Sequence, residues 1–506
     1  MKNCPKSYPL ALLIALLALL PVLVLFELAS DSAELFDARN LAVLGNTLAL
    51  MGLTVVGSVL IGVPLAFLTA YVQLPMKRLW LILFASPLAL PSYVGAFTLY
   101  FSFGRGGEIE NLLGFSTPPI SGLWGTALVM SLYTYPFVMM TTRAALLSQD
   151  ASLINAARTL GLSLGAAIWR IVLPRLFNSV AAGALLAALY ALSDFGTPAI
   201  LGLDTFTRVI FVEYNAFGLS QAAMLSLQLM VVVALVLFLE SRVKSTQERP
   251  GKHLNFWPKR WQSSLMIIAA LPPFILSVIV PLSIFVIWLL REGSSGFDMS
   301  FAWNSAYASF IAAMVAVILA MPVAYAAISG PAGRLMERIT YFGFGVPGIV
   351  MGTALVYLGL KLPFLYQTLA LLVIAYVLRF LPLAVGSIRT TTENLDGSLV
   401  KAARVLGASP REAFVRVTLP LTVRGMIAGA ALVFLEAMRE LPATLMLGPT
   451  GFETLATYLW RVYEAGYFGR AALPGLMLVL ISGLGLILML SGERRAEFSV
   501  KEDSKQ

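Results

Sequence analysis

The stretch Asp150–Pro174, DASLINAARTLGLSLGAAIWRIVLP, returns 246 residues later as Asp396–Pro420, DGSLVKAARVLGASPREAFVRVTLP. Thirteen of the 25 positions are identical, among them Ala156, Ala157, Arg158, Gly161, Ser163 and Pro174. The match extends outward at the same offset: Pro136 over Pro382, Arg143 over Arg389, Asp194 over Glu440 and Gly202 over Gly448. Nearer the start, Asn46 and Pro64 fall over Asn304 and Pro322 at 258, and Pro91 over Pro347 at 256. The shrinking offset fits a shorter connection in the second half, where residues 104–120 have no full counterpart. A chain that repeats itself over this length is two copies of one structural unit.

The copies are built for lipid. Of 506 residues, 59% are hydrophobic and 12% are charged, against about 25% charged in an ordinary soluble protein. So much apolar surface exceeds what one core can bury. Twelve apolar segments are long enough to span a bilayer, near 9–29, 42–71, 79–103, 121–146, 177–199, 219–240, 264–290, 304–328, 339–360, 366–388, 423–445 and 468–491. The expected fold is an all-α polytopic membrane protein of about twelve transmembrane helices in two parallel six-helix repeats. The repeats take residues 1–240 and 264–506, with a polar linker at 241–263 that contains Pro250 and Gly251.

Charge sets the orientation. With the N-terminus inside, 26 Lys and Arg residues fall in loops on the inner side and seven on the outer side, the bias that cytoplasmic loops carry. Both termini and both copies of the repeated loop are then cytoplasmic. The net charge of +9 reports this topology and contact with anionic lipid; it does not call for nucleic acid. A cleaved signal peptide over residues 1–30 is the rival reading of the first span; its apolar run is long for one, and removing it would break the match between halves. One cysteine, Cys4, and one histidine, His253, leave no internal disulfide and no tetrahedral zinc set.

Each repeated loop reads as two short helices. Asp150 or Asp396 can cap the first, and Gly161 or Gly407 can end it at positive φ. Ser163 or Ser409 can cap the second, with Pro410 at a first helical position, and Pro174 or Pro420 marks the turn back into the membrane. The small faces Ala156-Ala157 and Ala402-Ala403, with Arg158 and Arg404 beside them, suit insertion into a partner's groove. A solvated loop without a partner is the plainer alternative, and duplication in register favours docking.

The pattern Ala-Ala-x-x-x-Gly, nine residues, then Ile or Val-x-Leu-Pro resembles the coupling loop of binding-protein-dependent ABC importer permeases. The family usually has Glu before the two alanines, where this chain has Asn155 and Lys401. The resemblance covers both halves. It implies a permease of the type I importer kind in a bacterial inner membrane, with two copies of a separate ATPase subunit docked on Asn155, Ala156, Ala157, Arg158 and Gly161 and on Lys401, Ala402, Ala403, Arg404 and Gly407. It also implies a periplasmic substrate-binding protein. No Gly-x-x-x-x-Gly-Lys-Ser/Thr run occurs, so no cofactor is expected on this chain and ATP is left to the partner.

The ends of spans five and eleven carry acids. Ionisable groups at such depth usually face protein or a water path. Asp194, Glu436 and Glu440 are therefore candidates for a translocation path. Their structural alternative is equally direct: Glu436 pairs with Arg439 three residues on, while Asp194 and Glu440 bond loop amides. The phrase ELPATLMLGPTGFETLA from Glu440 to Ala456, with DFGTP from Asp194, resembles the ferric-iron branch of fused permeases; thiamine and phosphonate permeases share the layout. That branch implies passage of Fe³⁺, an ion suited to hard oxygen ligands, with no tightly bound metal. An ion-coupled 6+6 carrier would place acids near the midplane, where only Glu436 approaches. A membrane-embedded enzyme would gather His, Cys, Asp or Glu at one level, and no such cluster is present in the sequence.

Overall fold

The computed structural model describes residues 7–29, 38–243, 256–293, 296–393, 395 and 397–484. Among them there is no strand beyond one isolated bridge, Val72 to Phe256, where Phe256 N donates to Tyr71 O at 2.8 Å. Among the described residues, nine helices are long and apolar enough to cross a membrane: Tyr8–Ala29, Ala38–Tyr71, Gly122–Ser148, Leu164–Ser193, Leu219–Arg242, Trp261–Glu292, Met299–Ser329, Leu369–Glu393 and Pro410–Met438.

The two spans expected near 79–103 and 339–360 are bent. Lys77–Ala89 meets Ser92–Ser102 at 91°, and Pro331–Gly345 meets Gly348–Lys361 at 99°. The breaks fall at the repeat-related Pro91 and Pro347, both extended, at ψ 134° and 144°. Proline has no N–H for the helical ladder and drives the residue before it out of the helical region; Leu90 accordingly sits at φ −93°, ψ 131°. Counted as one span each, the bent pairs bring the total to eleven. Of the twelfth expected span, the apolar helix Phe468–Leu484 is seen, and 485–491 lie outside the described residues.

The chain forms two compact units, each drawn from both halves of the sequence. One comprises Met1–Leu35, Val209–Met230 and Gly296–Tyr467; the other comprises Phe36–Arg208, Val231–Ser295 and Phe468–Gln506. In the first unit, Tyr8–Ala29 packs against Met299–Ser329, Pro331–Gly345 and Gly348–Lys361. It does so through Ala11, Ile14, Ala15, Ala18 and Leu25, the three-and-four spacing of a single helical face. Lys361 pairs with Glu27 at the end of this contact.

In the second unit, the helix Arg260–Phe274 continues through a π-helical turn at Ile275–Ile279, next to Pro272 and Pro273, into Val280–Glu292. Tyr133 donates to the carbonyl of Ser277 in that turn at 2.7 Å. Further along, Trp288 Nε1 donates to Glu108 at 2.9 Å and Arg291 pairs with the same carboxylate at 2.8 Å. Phe97 and Phe285 stand edge-on to Trp288, with centroids at 5.6 and 6.0 Å.

Close helix crossings rest on small residues, as expected where lipid supplies no hydrophobic drive between helices. A Cβ on Gly183 would fall 2.6 Å from Cα of Val138, and one on Gly429 would fall 2.9 Å from Cα of Ala384. Both pairs are related by the 246-residue offset, so the repeat preserves the same crossing in each unit.

Candidate functional site

The first loop opens with Asp150, whose Oδ1 accepts from Ser152 N at 2.9 Å and starts the helix Ala151–Thr159. Its last turn closes on the two alanines: Leu160 N donates to Ala156 O at 3.2 Å and Leu162 N to Ala157 O at 3.1 Å. The second bond runs from residue six to residue one of the turn, as in a Schellman cap. Gly161 stands between them at φ +91°, and a Cβ there would meet nothing within 4 Å, so the demand for glycine is conformational alone. Ser163 Oγ then accepts from Ala166 N at 3.3 Å.

The second loop repeats this. The helix is Gly397–Val405; Asp396, expected to cap it, lies outside the described residues. Leu406 N donates to Ala402 O at 3.0 Å and Ala408 N to Ala403 O at 3.0 Å, around Gly407 at φ +89°. Ser409 and Glu412 cap each other reciprocally: Glu412 N donates to Ser409 Oγ at 3.3 Å and Ser409 N to Glu412 Oε2 at 2.8 Å, with Pro410 at the first position.

Pro174 and Pro420 do not mark turns. The second short helix of each loop runs unbroken into the next span, Leu164–Ser193 and Pro410–Met438. Each passes through a π-helical turn at Ile168–Val172 or Phe414–Thr418, just before the proline. The wider turn takes up the missing proline N–H and relieves its ring. The loop is therefore rigidly continuous with a membrane helix.

The outward surface of the first loop carries Asn155, Ala156 and Arg158, and that of the second carries Lys401, Ala402 and Arg404, all exposed; Ala157 turns inward and Ala403 is half-buried. Each cap also exposes a leucine that the composition did not single out. Leu160 and Leu406 are each 86% exposed, and their identity at the 246 offset was the available signal. Asn155, Arg158, Thr159, Gly161, Leu162, Ser163 and Leu164 line a shallow hollow beside the first.

Beyond each loop the long helix ends at an acid. The helix Leu173–Ser193 stops at Asp194, and the short helix Gly196–Ile200 follows. Asp194 Oδ1 accepts from Gly196 N at 3.1 Å, and Oδ2 accepts from Ser92 Oγ at 2.7 Å, itself 3.3 Å from the Tyr190 hydroxyl. In the other unit, Leu419–Met438 stops ahead of Glu440, and Pro442–Leu447 follows. Glu440 Oε1 accepts from Ala443 N at 3.2 Å and lies 2.5 Å from Arg379 Nη1. Gly348, at the bend, packs directly against this pair. Glu436 pairs with Arg439, whose Nε donates at 3.1 Å.

Each of the three acids is thus bonded to amides, a hydroxyl or an arginine. Among the described residues, no group of three or more His, Cys, Asp or Glu stands together as a metal set. Ser92 and Arg379 were missed as the partners of the acids. A lone arginine inside a span demands a counter-charge, and Arg379 could have been paired on that ground.

The segments past the breaks are tethered alike. Asn46 Nδ2 donates to Asp204 O at 3.1 Å and Thr47 Oγ1 accepts from Phe206 N at 3.1 Å. Asn304 Nδ2 donates to Glu453 O at 2.9 Å and Ser305 Oγ accepts from Leu455 N at 2.8 Å. The helices Phe206–Asn215 and Leu455–Ala465 start there.

The structure is that of a duplicated helical membrane protein whose matched, exposed loops are continuous with its spans. Residues 58–244 and 316–497 each match the binding-protein-dependent transport system inner membrane component family, and the chain belongs to that family. It is 32% identical to the Fe(3+)-transport system permease protein FbpB 2 of Haemophilus influenzae, over 96% of this chain and 99% of that one. It is 22% identical to the ferric transport system permease protein FbpB of Actinobacillus pleuropneumoniae, over 87% and 69%. A molybdate/tungstate permease, WtpB of Pyrococcus furiosus, is 27% identical over 42% of this chain. As a permease subunit of such a system, the chain is an integral membrane protein that works with a substrate-binding protein and an ATPase.

Proposed function

We propose that this chain imports ferric iron, released to it by a periplasmic binding protein, by alternating access across a bacterial inner membrane. Both termini and both repeated loops lie in the cytoplasm, and two ATPase subunits dock there, one per loop. The observation that carries the docking is the pair of matched caps, with Gly161 at φ +91° and Gly407 at φ +89° and a leucine standing out at each. Burying a leucine in a partner's cleft contributes about 1.5–3 kcal/mol, and the unbroken helices behind the loops carry the push into the membrane. Kinship along the whole chain with ferric permeases supports the cargo; the molybdate/tungstate relative matches less than half of it.

Asp194 and Glu440 are placed by amides and neighbours at the two helix breaks. We assign them to setting those breaks, with Asp194, bonded to Ser92 and Gly196, the better candidate for passing contact with the cation.

The test is ATP hydrolysis by the reconstituted complex with its binding protein loaded with Fe³⁺. Iron-dependent stimulation is expected. Stimulation by thiamine or a phosphonate with iron inert would overturn the cargo, and transport without any ATPase present would overturn the class.

A further inference from the structure

Beyond the docking loops, the unit built on Gly296–Tyr467 contains an ion-pair connection for which the first repeat has different chemistry. Glu337 sits on Pro331–Gly345, the limb that leads into the Pro347 bend. Its side chain is 4% exposed, and Oε2 lies 2.5 Å from Arg389 Nη1. Arg389 Nε also donates to Glu393 at 2.8 Å. Glu393 ends the helix Leu369–Glu393, and Gly397 begins the docking helix. The other carboxylate oxygen, Oε1, is buried without a hydrogen bond. Burying a carboxylate is costly unless it is paired, so Glu337 is held in place by the arginine.

From Glu337 the limb runs to Pro347, and the next residue, Gly348, is wedged against Arg379 and Glu440. The ion pair, the helical limb behind it and the close approach at Gly348 thus connect the base of the second docking loop to the helix break at Glu440, entirely within one unit. In the first repeat, 256 positions earlier, the residue over Glu337 is Leu81, so the carboxylate that Arg389 meets has no counterpart at that place.

The geometry points to Glu337 and Arg389 as a one-sided strut: positioning residues that transmit movement of the second docking loop to the Pro347 bend, making the two ATPase contacts unequal. This rests on the docking role proposed above. A continuous path by itself does not establish coupling, so the test is a charge-reversal cycle in the full reconstituted complex. E337Q, R389E and the swap E337R/R389E are compared with wild type for Fe³⁺ transported per ATP hydrolysed.

E337Q and R389E are expected to lower that ratio roughly two- to thirtyfold while ATP hydrolysis persists, and the swap is expected to recover it. R389K, which keeps the charge, should stay near wild type and covers the case of a single variant that fails to assemble. An unchanged ratio in E337Q and R389E, or no recovery in a swap that assembles as wild type does, overturns the strut. A wild-type complex that iron does not stimulate overturns the function itself and is distinguishable from both.

Discussion

Arg379 Nη1 stands 2.5 Å from Oε1 of Glu440, with the guanidinium side chain 14% exposed and the carboxylate side chain 6% exposed. One residue comes from the middle of a span and the other from a break between two helices, so the pair pins a discontinuity to a continuous rod. In the first repeat, the residues at the same offsets are Tyr133 and Asp194, and there the acid is held by Ser92. The repeat keeps the break and changes what holds it.

That difference predicts unequal responses to neutralising the two acids. Glu440→Gln leaves a buried arginine without its counter-ion, and breaking a buried pair costs about 3–5 kcal/mol. Asp194→Asn keeps an acceptor for Gly196 N, and asparagine caps as well as aspartate does. Thermal unfolding in detergent should show a large loss for Glu440→Gln and a small one for Asp194→Asn. Equal losses would refute this account of the breaks.

For the docking caps the expectation is loss of coupling without loss of fold. Valine resists positive φ, while the space beside Gly161 and Gly407 is open. The double substitution Gly161→Val, Gly407→Val should leave the permease folded in the membrane and lower iron uptake at least about tenfold, the factor that 1.4 kcal/mol of lost coupling represents. Unchanged uptake would remove the loops from the mechanism.

Leu160→Asp and Leu406→Asp put a charge where an apolar contact is proposed. Copurification of the ATPase with each single variant should fall, and with the double variant it should be lost. An intact complex in the double variant would move the docking surface elsewhere.

The crossing at Gly183 makes a prediction about stability alone. A Cβ placed 2.6 Å from Val138 Cα forces the helices Gly122–Ser148 and Leu173–Ser193 apart. Gly183→Ala should therefore cost about 1–3 kcal/mol, the usual range for overpacking, and Gly429→Ala should behave alike. Melting temperatures of the two variants check this, and a neutral result at both positions would show that the helices can separate freely.

The sequence carried the helices, the repeat and the caps, because each depends on local chemistry: apolar run length, glycine at positive φ, serine before a helix. It did not carry the right-angle bends. Pro91 and Pro347 were visible as repeat mates, yet proline inside a span more often kinks than breaks it, as the intact helices around Pro64, Pro136, Pro322 and Pro382 show. Pro174 and Pro420 erred the other way, since a π-helical turn let the helix continue where a turn was expected. The partners of the acids were hidden for a different reason. Ser92 and Arg379 are 102 and 61 residues from Asp194 and Glu440, and only packing brings them together.

The helix Tyr8–Ala29 belongs to a unit whose other members come from much later in the chain. Its partner Met299–Ser329 begins about 270 residues after it ends. At a synthesis rate of about 5–20 residues per second, that is a wait of roughly 15–50 s in the bilayer without its neighbours. The face it will bury, Ala11, Ile14, Ala15, Ala18 and Leu25, bears no polar atom on its side chains, so lipid can stand in for the missing protein. An early helix with a charged inner face could not be held in reserve so cheaply.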